Sequence, residues 1–112
     1  MKGQALKGHL DLLLLAVVAD GPKHGYAVIE ELRLRSEDAF DLPEGTVYPA
    51  LHRLEKAGYL SSSWSEVQGR RRRTYTLTKR GSSALGEQRQ IWDEFSQAVV
   101  RVLKGVPWPS TP

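Results

Sequence analysis

The chain has 112 residues, 40% of them hydrophobic and 26% charged, with no cysteine and a net charge of +3. That length suits one domain with a single modest core, and the composition is that of a globular chain rather than a disordered one. The lack of cysteine excludes disulfide frameworks, thiolate metal sites and cysteine nucleophiles.

No apolar stretch reaches the ~20 residues that a membrane span requires. The N-terminal residues have no signal-peptide pattern, so the expectation is a soluble cytoplasmic protein with no membrane partner. The distribution of charge says more than its sum. Residues 68–80 hold Arg70, Arg71, Arg72, Arg73, Lys79 and Arg80 without one acid, which leaves ten basic against thirteen acidic residues elsewhere. A concentrated patch on an otherwise acidic chain calls for an anionic partner or wide exposure.

In chain order, the first expected helix runs from about His9 to Asp20. Leu10, Leu13, Leu14 and Val17 keep helical spacing, while Leu12, Leu15, Ala16 and Val18 fill the other side. A helix apolar nearly all round packs on more than one face. The expectation is contact with the core and with a second subunit. Gly21-Pro22 ends it.

A second helix is predicted over His24 to Ser36, with Tyr26, Val28, Ile29 and Leu32 inward. Lys23, His24 and Tyr26 at its start form a candidate phosphate contact, because a helix N-terminus presents free N–H groups; His24 as a plain cap is an equal alternative. After a loop over Glu37 to Pro43, a third helix should begin between Glu44 and Thr46 and stop at Gly58. If Thr46 caps it, Pro49 falls harmlessly in the first turn; an earlier start loses one backbone bond. Val47, Leu51 and Leu54 make its buried face. Thr46, Tyr48, Pro49, His52 and Arg53 are then presented outward, where arginine can pair with guanine and the hydroxyls can hold phosphates.

Tyr59 to Val67 and Arg73 to Thr78 read as two strands joined by Gln68-Gly69-Arg70-Arg71-Arg72. An exposed tip bearing Arg70, Arg71 and Arg72 can enter a minor groove or straddle a phosphate backbone; Arg73 is the one expected to be structural. A long helix from Thr78 to about Lys104 carries Leu85, Gln88, Trp92, Phe95, Val99 and Val102 at alternating spacings of three and four, a coiled-coil seam. With Leu10 and Leu14 this seam is the expected homodimer interface. Trp92 and Phe95 have a second reading, as the wall of a pocket for a small aromatic effector.

The expected architecture is mainly α (α+β). It comprises a winged helix-turn-helix over 1–78, a dimerisation helix over 79–104 and a disordered tail over 105–112. His9, His24 and His52 share no metal-ligand spacing, and no cofactor or catalytic constellation is visible. A protein-interaction module gripping an acidic partner is the alternative to a reader of double-stranded DNA.

Three stretches, Gly21-Pro22-Lys23-His24-Gly25-Tyr26, Leu42 to Leu54 and Gly69 to Thr78, resemble the PadR family of bacterial transcriptional regulators. The resemblance covers about residues 8–103 and includes three motifs in order. It implies homodimeric winged helix-turn-helix repressors that bind inverted repeats, often in promoters of detoxification or transport genes. It implies also that Thr46 to Pro49 opens the recognition helix and that the Gly-Arg-Arg hairpin is the wing. The single C-terminal helix resembles the compact subgroup. Some members of that subgroup bind aromatic drugs between subunits beside a tryptophan, which makes Trp92 a candidate.

Overall fold

A computed structural model describes Leu6 and residues 8–109. The elements are α1 (Leu10–Ala19), β1 (Lys23–His24), α2 (Gly25–Arg35), α3 (Glu44–Lys56), β2 (Leu60–Val67), β3 (Arg70–Leu77) and α4 (Lys79–Leu103). The three strands form one antiparallel sheet in the order β1-β3-β2. Among the described residues no helix is long and apolar enough to cross a membrane.

One core joins the three short helices to the sheet. Leu14, Leu15 and Val18 of α1, Val28 of α2, Val47, Leu51 and Leu54 of α3, and Leu60 of β2 are all essentially sealed from solvent, and Tyr75 of β3 nearly so. Each such aliphatic chain contributes roughly 1.5–3 kcal/mol relative to exposure. Leu14, expected at a subunit interface, is 0% exposed and belongs to this core instead. The helix is apolar on both sides, so spacing alone does not say which side turns inward.

Local features differ from expectation at β1 and at the hairpin, and of the two starts expected for α3 the earlier one is found. Lys23–His24 is a short strand, pairing Lys23 with Tyr75 and His24 with Thr74, and α2 starts only at Gly25. Helix α3 starts at Glu44 after Pro43, so Pro49 lies in the helix interior. Its missing N–H denies the Gly45 carbonyl the usual donor four residues on. The hairpin turn is only Gln68-Gly69, both in the left-handed region (φ 52° and 76°), as a two-residue type I′ turn demands. The ladder accordingly runs to Val67 opposite Arg70, and all four arginines lie on β3 rather than in a loop.

Helix α4 is capped by Thr78, whose Oγ1 accepts from the Gly81 N–H at 3.0 Å and donates to the Gly58 carbonyl at 2.7 Å. Its first turns, with Ala84 and Leu85, pack on the core; the rest projects beyond it. The Cα radius of gyration is 16.5 Å, against about 13 Å for a compact chain of this size. Residues 105–109 are exposed and lack helix or strand. The remainder of the expected tail, 110–112, and residues 1–5 and 7 of the expected N-terminal domain lie outside the described residues.

Two glycines of α4 make a paired test of this packing. A Cβ on Gly81 would collide with the Tyr59 carbonyl oxygen and a Leu77 methyl, whereas one on Gly86 would meet nothing within 4 Å. Gly81→Ala should lower stability by roughly 1–3 kcal/mol through overpacking. Gly86→Ala should raise it by up to about 1 kcal/mol through helix propensity. Thermal denaturation giving both variants the same sign of shift would contradict the close approach at Gly81.

Candidate nucleic-acid interface

Helix α3 buries Val47, Ala50, Leu51 and Leu54 and exposes Gly45, Pro49, His52, Arg53 and Lys56. The side chains expected to act together are divided by the helical period. Tyr48 and His52, four residues apart, face an open cleft of about 550 Å³ shared with the wing. Thr46 and Arg53, seven apart, face a second hollow beside α1 and α4.

The first cleft lies between the start of α2, helix α3 and β3, and His24, Tyr26, Arg70 and Arg72 line it. The Tyr48 ring lies so close to Gly25 that a Cβ there would strike it, so the glycine lets α2 and α3 approach. Partial burial, then the charge of Glu44, pushes the Tyr48 phenol above its usual pKa. The group therefore stays an O–H donor at neutral pH. Tyr26 is 55% exposed at the rim. His24 occupies the N-cap position of α2, its Nδ1 3.3 Å from the Ala27 N–H, while Nε2 lies 2.8 Å from Arg72 Nη1.

Two of the expected DNA-contacting side chains are engaged elsewhere. Lys23 does not line the cleft. Its ammonium donates to the Val17 and Gly21 carbonyls at 3.0 and 3.5 Å, satisfying the C-terminal end of α1. Arg53 is gripped at both nitrogens by the Asp11 carboxylate, at 2.7 and 2.9 Å. The fork that would pair with guanine is closed on α1, so base reading by Arg53 requires that pair to open. Nothing in local spacing signals a partner 42 residues away.

Strand alternation separates the arginines. Arg70 and Arg72 lie on one face of β3; Arg71 and Arg73 lie on the other, both over the Trp64 ring at 4.8 and 5.5 Å. Arg70 and Arg71 are exposed. Arg73 is bound into the scaffold: its Nε donates to Ser62 Oγ at 2.8 Å and its Nη2 to Glu55 at 3.4 Å, while the Ser62 hydroxyl donates to Glu55. This network ties the C-terminal half of α3 to the sheet.

The second hollow, about 810 Å³, has Trp92 and Phe95 on one wall and Asp11, Thr46 and Arg53 on another. The His9 ring meets Trp92 edge-on at 4.8 Å, and Phe95 lies 6.3 Å from it. Further along α4, Val99, Val102 and Leu103 are 37%, 77% and 58% exposed, an apolar stripe that the other described residues leave open. Of the other expected interface residues, Leu10 and Leu85 are half-buried against the core. Among the described residues, no three His, Asp or Glu groups cluster as a metal would require.

A three-helix core, a two-stranded hairpin against the third helix and a long trailing helix define a winged helix-turn-helix protein. The chain belongs to the PadR-like family of transcriptional regulators, whose family model matches residues 14–87. It is 39% identical over 89 residues to transcriptional regulator Rv3488 of Mycobacterium tuberculosis, covering 80% of each chain. A transcriptional regulator from Clostridium thermocellum superposes with a TM-score of 0.84 at 25% identity, covering 91% of this chain and 100% of that one. A PadR-like regulator from Bacillus cereus gives 0.81 at 28% identity, with 92% and 99% covered. The protein is thus a transcriptional regulator of this family, a class that does not consist of enzymes.

The Glu55 network carries a pH signature. The Ser62 hydrogen bond, reinforced by Arg73, holds the Glu55 carboxyl below the usual carboxylate range. Its stabilising contribution is therefore present at neutral pH and is lost as pH falls through the lowered folded value. Glu55→Gln should cost roughly 1 kcal/mol or less at pH 7, given its partial exposure, and the deficit should vanish in acid. Denaturant titrations showing a constant deficit across that range would contradict it.

Proposed function

We propose that the protein is a repressor that binds pseudo-palindromic operator DNA as a homodimer. The observation that carries this reading is a shared cleft: the exposed edge of α3 and the arginine-bearing face of β3 flank one opening, with His24 at its base. A helix presented in this way fits the major groove, which is wide enough to admit it. The hairpin beside it then reaches phosphates or the neighbouring minor groove. His52 and Pro49 are the outward positions of α3 nearest the bases. Arg70, Arg71 and Arg72, with His24, Tyr26 and Tyr48, hold the backbone.

The dimer reading rests on the uncovered stripe of α4. Trp92, Phe95, Val99 and Val102 are a contiguous apolar surface of the kind that marks a protein interface, and an isologous helix pair buries it with two-fold symmetry. A partner helix there also roofs the hollow beside Trp92. A small aromatic effector stacked against Trp92 and Phe95 would lie against α3 through Thr46 and Arg53, and so could release the operator.

A gel-shift titration with the protein's own upstream promoter fragment against a scrambled duplex tests the reading. Preference for the promoter fragment is expected, while equal affinity would point instead to the acidic-protein partner. Replacing Arg70 and Arg71 together with alanine should weaken binding and flatten the slope of log affinity against log salt by about 0.9 for each phosphate no longer neutralised. An unchanged slope would remove the wing from the interface. Phe95→Glu should yield a monomer in sedimentation equilibrium, with operator binding reduced accordingly. A Phe95→Glu protein that stays dimeric would place the interface elsewhere.

A further inference from the structure

The His24 ring contains a hydrogen-bond mismatch that bears on what the cleft holds. A neutral imidazole has one nitrogen with a lone pair and one with a proton. Here both nitrogens face donors: the Ala27 N–H at Nδ1, 3.3 Å away, and the Arg72 guanidinium at Nε2, 2.8 Å away. Arginine has donors only, so one lone pair serves two claimants. The shorter, charge-assisted hydrogen bond takes it. In that tautomer the proton sits on Nδ1, pointing at the Ala27 N–H, and the 3.3 Å cap contact of α2 cannot act as a hydrogen bond.

Resting on the DNA-binding reading above, we propose that His24 and Arg72 together seat one backbone phosphate of the duplex, and that its arrival switches the His24 ring from the Nδ1–H to the Nε2–H tautomer. A phosphate oxygen accepts from both Arg72 and Nε2–H, and the Nδ1 lone pair returns to the Ala27 N–H. Every donor is then satisfied. The ring gives up the proton on Nδ1 to water and takes another at Nε2, so no net proton is bound.

The surroundings fit this assignment. From β3, Arg70 and Arg72 face the cleft, while the Arg73 guanidinium is turned to Glu55 on the other face; from α3 come Tyr48, His52 and the carboxylate of Glu44; α2 adds Tyr26. The balance is cationic, as a phosphate requires. Partial burial, then the charge of Arg72, holds the His24 ring below its usual pKa, which keeps it neutral.

Nitrogen-15 NMR of the histidine rings, with and without operator duplex, reads the tautomer directly. His24→Asn identifies the His24 signals by their disappearance. The expected result is Nδ1–H in the free protein and Nε2–H in the complex. His24→Asn keeps a capping oxygen but lacks the second donor. It should melt no lower than the parent and bind duplex roughly ten- to hundredfold more weakly, the effect of removing one hydrogen bond to a charged group. Because the removed group is neutral, its salt slope should match the parent's; Arg72→Ala should lower that slope by about 0.9. Four results would overturn the proposal while leaving DNA binding intact: a free ring already in the Nε2–H form, a ring doubly protonated in the complex, a ring unchanged by bound duplex, or parental affinity in His24→Asn. Failure to bind any duplex would overturn the DNA-binding reading, and this proposal with it.

Discussion

Strand β3 is the part on which the arrangement depends. It hydrogen-bonds on both edges, to β2 over eight residue pairs and to β1 at Lys23 and His24. Its inner end places Tyr75 in the core and its outer end carries four arginines. One strand therefore transmits the position of the core to the wing. The pairing of His24 with Thr74 fixes the start of α2 against the same strand, so the wing and the helix-turn-helix cannot drift independently. A hairpin of two strands alone is marginal in water; the third strand and the core beneath Tyr75 supply what it lacks.

Like charges on such a strand repel, and the fold offsets this in different ways at different positions. Arg73 is neutralised by Glu55 and braced by Ser62. Arg71 lies over the face of Trp64, an exposed ring that spreads two guanidiniums apart from the other pair. Arg72 rests on a neutral His24. Arg70 faces the cleft at its outer edge. In the proposed complex the placement of Arg71 on Trp64 and of Arg72 on His24 means that little has to be ordered when a polyanion arrives.

The order of elements is legible in the sequence because strong signals mark it: the 3.6-residue period of α3 and α4, the Gly-Pro break after α1, and glycine at the hairpin turn. Boundaries are not legible where a long-range pairing decides them. Lys23–His24 is too short to alternate, and its partners lie some fifty residues downstream, so β1 leaves no local trace. The arginine run reads as a loop when charge is taken to mean a turn; in the folded chain alternation simply sends successive arginines to opposite faces. The outward residues of α3 read as one surface, yet helical geometry divides them, with Tyr48 and His52 toward the wing and Thr46 and Arg53 toward α1 and α4. Asp11, the residue that holds Arg53, carries no signal at all. Leu14 is ambiguous for a related reason: a helix apolar on every side does not announce its inner face.

In the proposed complex, two copies of one rigid helix-and-wing unit, related by two-fold symmetry, meet a duplex at two equivalent places. Hydroxyl-radical footprinting of the bound operator measures this most directly. The expected pattern is two symmetric sets of protected sugars, centred about 10 base pairs, or a multiple of that, apart. Each should have a flanking minor-groove protection that disappears when Arg70 and Arg71 are replaced. A single asymmetric footprint, or flanking protection indifferent to those arginines, would contradict it.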